Sequence, residues 1–157
     1  MSTQLAVINV SSAELLTGGL IPAKYTSQNQ NIHPPITFRG LPLETASIAM
    51  ILEKVEKSNE VFDHWIIWNM TPTPAIAEGS ATGVIGKNSS GENKYVGPCV
   101  PFGDYYRLQV YALNQMLTLN EDNGKHELKH AMEGHILAMG SMHAFCNAQS
   151  FSENLEF

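Results

Sequence analysis

The chain has 157 residues, enough for one domain with a sizeable core, and only 15% of them are charged against roughly a quarter in an average soluble protein. A net charge of −6 argues against nucleic-acid binding, which needs a basic face, and against a polybasic grip on anionic lipid. No run of about 18 apolar residues occurs, so the chain is not expected to be an integral membrane protein, and MSTQLAVINVSS lacks the basic start and apolar stretch of a secretory signal. The cytoplasm is the expected compartment. Cys99 and Cys146 have no CxxC spacing and are expected as free thiols, with a pair in space left open.

No internal repeat or linker divides the chain, so one domain is expected over residues 1–157. Ala6–Val10 reads as a short strand, and Thr17–Ile21 carries a Gly-Gly turn. Ser27–Asn31 is wholly polar and reads as an exposed loop. Pro34-Pro35 pushes His33 towards an extended conformation, Ile36–Phe38 alternates as a short strand, and Gly40-Leu41-Pro42 ends it. Thr45–Leu52 reads as a strand and the charged run Glu53–Glu60 as a solvated loop.

Val61–Asn69, VFDHWIIWN, is the most hydrophobic and β-prone run. Strict alternation places Phe62, His64, Ile66 and Trp68 on one face, and Val61, Asp63, Trp65, Ile67 and Asn69 on the other. This strand and Thr45–Leu52 are expected to pair antiparallel. His64 among bulky apolar neighbours forms either a pocket wall or a satisfied core histidine.

Thr71–Gly103 is long and irregular, which in a compact domain marks function or disorder. Its end, KYVGPCVPFG, is either a rigid loop that points backbone N–H groups at a ligand or a plain crossover. Tyr106–Leu113 alternates as a strand, Lys125–Met132 reads as a short helix after Asn123-Gly124, and Ile136–Phe145 fits a last strand. The expected class is mostly β and largely antiparallel, with small helical additions.

No nucleophile elbow, phosphate-binding Gly-rich loop, HExxH run or zinc-type Cys pair is present. His126 and His130 have the i, i+4 spacing of a metal pair, but histidines so placed more often sit on a solvated helix face, and no metal or other cofactor is expected. Met132, Met139 and Met142 read as core filling. What remains is His64 on a strand, the charged loop before it and the Gly/Pro loop ahead of Tyr106. A small anion held by histidine, tyrosine and loop N–H groups is the chemistry those residue types supply.

Four blocks in order resemble the phosphatidylethanolamine-binding protein family, most nearly its short bacterial and archaeal branch, which is similar to Raf kinase inhibitor protein. They are Ile21-Pro22 through Tyr25-Thr26, Asn31, Pro34-Pro35-Ile36, Phe38 and Gly40-Leu41-Pro42; Ser47–Glu53 with Phe62, His64-Trp65 and Asn69; Tyr95, Gly97-Pro98-Cys99, Pro101, Gly103, Tyr106-Arg107 and Val110–Leu113; and Ala131-Met132 with Gly134–Ala138. The resemblance covers residues 20–146. It implies a large central antiparallel sheet, a second smaller sheet, short peripheral helices, and a pocket for phosphate-like anions or phospholipid headgroups in a binding or regulatory protein. It places His64, Tyr106, Gly97 and Pro101 in that pocket. No nucleophile or oriented partner that would make His64 a general base is visible in the sequence, so an enzyme is not expected.

The chain departs from the family at two signatures. Where the family has Asp-Pro-Asp-Ala-Pro, this chain has Lys54-Val55-Glu56-Lys57-Ser58; where it has His-Arg-Tyr, this chain has Asp104-Tyr105-Tyr106. Lys54, Glu56 and Asp104 thereby become candidate ligand-binding residues of an altered site. The alternative is a protein-interaction or kinase- or protease-inhibitor-like module with a vestigial pocket. Homodimerisation is a further implication of the resemblance, for which the residues give no independent sign.

Overall fold

The computed structural model describes residues 5–15, 19–55, 61–98 and 105–146. Nine strands and one helix are formed by them: β1 Ala6–Val7, β2 Asn9–Ser11, β3 Ile36–Arg39, β4 Ser47–Val55, β5 Val61–Met70, β6 Ala75–Ile76, β7 Val84–Ile85, β8 Tyr105–Leu113, α1 Lys125–Met132 and β9 Ile136–Phe145, with a 3₁₀ turn at Ala23–Tyr25. A six-stranded sheet runs β1-β9-β8-β4-β5-β7, and a three-stranded sheet runs β2-β3-β6. Every pairing in the large sheet is antiparallel except β1 with β9, which is parallel, so the sheet is mixed at that edge.

The two sheets pack face to face, as their inner residues demand. Ile48, Met50, Trp65, Ile67, Leu108, Val110 and Ala112 from the large sheet meet Val10, Ile36, Phe38 and Ile76 from the small one in a single buried cluster. On the other side α1 lays Leu128 and Met132 over Ala49, Ile51, Ile66, Trp68 and Tyr111. Met142 packs into the inter-sheet core, but Met139 lies on the outer side with 39% of its surface exposed, so it does not fill the core as expected.

Three stretches of strand differ from the expected course. Ala6–Val10 is not one strand: the chain leaves the large sheet at Val7, passes through buried Ile8 and joins the small sheet at Asn9. The crossing lies directly on β9, where a Cβ at Gly140 would meet the Ile8 carbonyl oxygen at 1.9 Å. Glu53, Lys54 and Val55 are not loop but the last residues of β4, because both flanks supply pairing partners, Asp63 to Val61 on one side and Arg107 to Tyr105 on the other. The third correction concerns β5, which does not alternate strictly. Leu52 pairs with Trp65 while Glu53 pairs with Asp63, so His64 is an extra residue. A second irregularity falls between Ile67 and Met70, where Asn69 takes φ +57° and its side chain exchanges two hydrogen bonds with the Leu117 backbone.

The bulge at His64 turns Asp63 to the same side as Ile66, towards α1. There Asp63 Oδ1 lies 2.7 Å from Lys125 Nζ, and Lys125 also reaches Glu53 Oε2 at 3.1 Å. Glu53 is 2% exposed and accepts further hydrogen bonds from Arg107 (Nη2, 3.1 Å) and Gln109 (2.5 Å), while Tyr111 donates to Gln109. Burial pushes the Glu53 carboxyl up, but the Lys125, Arg107 and Gln109 donors outweigh it and hold it below its usual value. Burial likewise works against the Lys125 charge, and Asp63 and Glu53 overcome it, so its ammonium is held above the usual lysine value. This network fastens the start of α1 to three strands.

Because the folded carboxyl titrates below its unfolded value, Glu53 contributes stability above pH 4.5 that is lost as the pH falls through its folded pKa. Glu53→Gln leaves two cations facing a neutral group and is expected to lower the unfolding free energy by about 2–3 kcal/mol in urea at neutral pH. It also flattens the acid limb of the stability profile. A loss under about 0.5 kcal/mol would contradict the network's role.

Candidate functional site

His64 is brought to the inner side of the large sheet by the bulge, where it is 4% exposed. Its Nδ1 donates to the Val96 carbonyl at 2.7 Å, and the Val96 N–H returns a bond to the His64 carbonyl at 3.1 Å. A carbonyl can only accept, so Nδ1 carries the proton and Nε2 is the basic nitrogen. The ring stands edge-on to Phe62 (5.0 Å between centroids) and to Tyr106 (5.4 Å). Lys54 is the direct partner of Phe62 on β5 and of Tyr106 on β8. Directly paired residues share a face, so the register sets half-buried Lys54 on the sheet side that holds the His64 and Tyr106 rings. Tyr106 itself is 1% exposed, with Ala144 opposite on β9.

Residues 95–98 run along this wall and are tied to the segment after the 3₁₀ turn. Gly97 N–H donates to Asn31 Oδ1 at 2.7 Å, Ser27 N–H to the Pro98 carbonyl at 3.0 Å, and the Tyr95 hydroxyl to the Tyr25 carbonyl at 2.8 Å. A Cβ at Gly97 would meet that same Tyr25 carbonyl oxygen at 2.2 Å, so close approach of two backbones is what requires glycine here. Asn31 adopts φ +55° to present its side chain. The expectation that this loop aims N–H groups at a ligand does not hold for Val96 and Gly97: both N–H groups are bonded within the protein, and Pro98 has none.

Behind the wall lies a narrow apolar cavity of about 30 Å³, room for one or two water molecules. Leu52, Trp65, Tyr95, Tyr106 and Met142 line it together with the ring of Tyr25. The Tyr25 hydroxyl donates to Glu78 at 2.9 Å, and burial with that carboxylate pushes its pKa well up. With the Tyr95 hydroxyl also committed, these two tyrosines turn aromatic surface to the space.

Residues 11–147 match the model of the phosphatidylethanolamine-binding protein family. The chain belongs to that family. A UPF0098 protein of Archaeoglobus fulgidus is 38% identical over 135 residues, 80% of this chain and 46% of that protein, and one of Chlamydia muridarum is 35% identical over 143 residues, 86% of this chain and 95% of its relative. A crystal structure described as the phosphatidylethanolamine-binding protein homologue CT736 of Chlamydia trachomatis superposes with a TM-score of 0.81 at 32% identity, covering 88% of this chain and 95% of its own. E. coli YbcL, described as a member of the mammalian family, shares the fold at TM-score 0.77 and 20% identity, over 90% of this chain and 99% of its own.

Of the residues that the family resemblance singled out, the structure brings together His64, Tyr106, Gly97 and, by register, Lys54. Pro101, Glu56 and Asp104 lie outside the described residues, as does Cys99; Cys146 is buried beside Ile21 and Tyr25. His126 and His130 are exposed on α1, and among the described residues no group of three or more His, Cys, Asp or Glu side chains could hold a metal. No helix of the described residues is long and apolar enough to cross a membrane. Sequence reasoning missed Asn31 as the clamp on Gly97 and Val96 as the partner of His64. An asparagine inside a polar loop carries a weak signal for a left-handed turn, and a backbone carbonyl carries none.

Gly97→Ala is expected to cost about 3 kcal/mol, since the added methyl meets backbone and not a side chain that can swing away. It should also break the Asn31 and Val96 contacts, visible as displaced amide signals for Val96 and Ser27. An unchanged melting temperature would contradict this packing.

Proposed function

We propose that this family member binds a small anion, phosphate or a phosphate-ester headgroup, at the wall formed by His64, Tyr106 and Lys54, and that its role is binding and not catalysis. The observation that supports the reading is the register of Lys54 with Phe62 and Tyr106, which puts it on the sheet side that holds the His64 ring. Gly97 contributes by close packing, holding the Val96 carbonyl that orients His64. Glu56, Asp104 and Pro101 complete the proposed site from sequence alone.

The chemistry sets the pH dependence. An anion is held best by a protonated Nε2, so anion binding and proton uptake at that nitrogen are linked. Titration with inorganic phosphate and with phosphorylethanolamine should move the His64 ring resonances at millimolar concentration. Lys54→Met should weaken phosphate about 10-fold or more, the effect of losing one charge-assisted hydrogen bond. His64 resonances that stay fixed through the titration would sink the proposal. Phosphorylethanolamine that binds while phosphate does not would assign the recognition to the ammonium group instead.

A further inference from the structure

His33, outside the wall just described, is 5% exposed, and both of its ring nitrogens are engaged. Nδ1 donates to the Pro34 carbonyl at 2.8 Å, and Nε2 accepts the Ala81 N–H at 3.0 Å. One partner only accepts and the other only donates, so the ring is held as the neutral Nδ1–H form. Its plane stacks on Trp65 at 4.9 Å and 13°, with Tyr95 edge-on at 6.3 Å. The His33 carbonyl accepts a further bond from Gly79 N–H at 3.1 Å. Residues 77–81 therefore close onto residue 33 by two bonds, one of which depends on the charge state of the ring.

We propose that His33 is an acid-sensitive latch, which holds residues 77–81 against the inter-sheet core while neutral and releases them when Nε2 is protonated. Protonation sets two donors, Nε2–H and the Ala81 N–H, against each other with no acceptor between them. It also puts a charge on a ring that is almost wholly removed from water. The charged and titratable groups around the ring do not offset this. Glu78, on the turn, favours the charged form, but its carboxylate already holds Lys24 at 2.5 Å and the Tyr25 hydroxyl at 2.9 Å. The Tyr95 hydroxyl is committed to the Tyr25 carbonyl, and burial pushes its own pKa far up.

Burial lowers the folded pKa of His33 below 6.5 against the opposing pull of the Pro34 carbonyl and Glu78. A depressed folded value means that the neutral latch contributes fully above pH 6.5 and fades as the pH falls through the folded pKa. Residues 77–81 connect β6 of the small sheet towards β7 of the large one, so release frees a strap between the sheets. Pro34, Trp65 and Tyr95 all line the apolar cavity, so the same event loosens its wall. None of this requires that the His64 wall bind an anion.

The test follows His33 ring protonation and amide hydrogen exchange on one wild-type sample from about pH 7.5 to about pH 5. After correction for intrinsic exchange, Ala81 should lose protection at least tenfold as His33 titrates, while Ile51 and Val110 stay protected. His33→Gln, whose side-chain carbonyl still accepts from Ala81, should abolish that pH dependence. Ala81 protection that survives His33 protonation, or falls only with Ile51 and Val110, would falsify the latch. If His33→Gln does not fold, the wild-type titration decides alone.

Discussion

A single extra residue in β5 organises the chemistry of this protein. With strict alternation, Asp63 would share the inner face with Trp65, and His64 would share the helix face with Ile66. The bulge opposite Leu52 and Glu53 exchanges them. Asp63 turns to Lys125, and His64 turns to Tyr106 and Phe62. The same stretch of sheet thereby carries an ion-pair network on one side and an aromatic, histidine-bearing wall on the other. β4 divides its charges in step, with Glu53 in the network and Lys54 on the wall side.

The two sides support each other mechanically. The buried network fixes the ends of β4, β5 and β8 against α1, which sets the spacing at which His64, Lys54 and Tyr106 stand. Across the wall, the segment from Tyr25 to Asn31 grips residues 95–98 through three hydrogen bonds and a glycine contact with no room for a side chain. His64 is then held from the far side by the Val96 carbonyl. Orientation of the ring is thus a product of backbone packing as much as of its own strand, and a carbonyl is the group that selects its tautomer.

Much of the fold was legible in the sequence because its long strands carry period-two patterns and strong β formers. Tyr106–Leu113 and Ile136–Phe145 come out within a residue of where they were read. Lys125–Met132 is helical as its apolar spacing and the preceding Gly124 indicated, with Glu127 accepting from the Gly124 N–H. What could not be read is set by long-range geometry. Nothing local in VFDHWIIWN announces a bulge; it arises because Glu53 and Asp63 must both meet Lys125, a residue more than sixty positions further on. Similarly, Glu53-Lys54-Val55 looks like a solvated run until strands on both sides claim its backbone. The family signatures pointed to His64 and Tyr106, yet Asn31, Val96 and His33 act through contacts that no spacing encodes.

The arrangement of the wall rests on His64 being turned inward and pinned there through Nδ1, which makes Nε2 the unprotonated nitrogen of the neutral ring. Long-range nitrogen–proton correlation of the imidazole ring at neutral pH reads this directly. The expected spectrum shows a protonated, pyrrole-like Nδ1 and a pyridine-like Nε2 for His64, unchanged in tautomer when α1 contacts are perturbed. A protonated Nε2 with an unprotonated Nδ1 would mean that the Val96 contact does not hold the ring, and the arrangement of the wall would have to be abandoned.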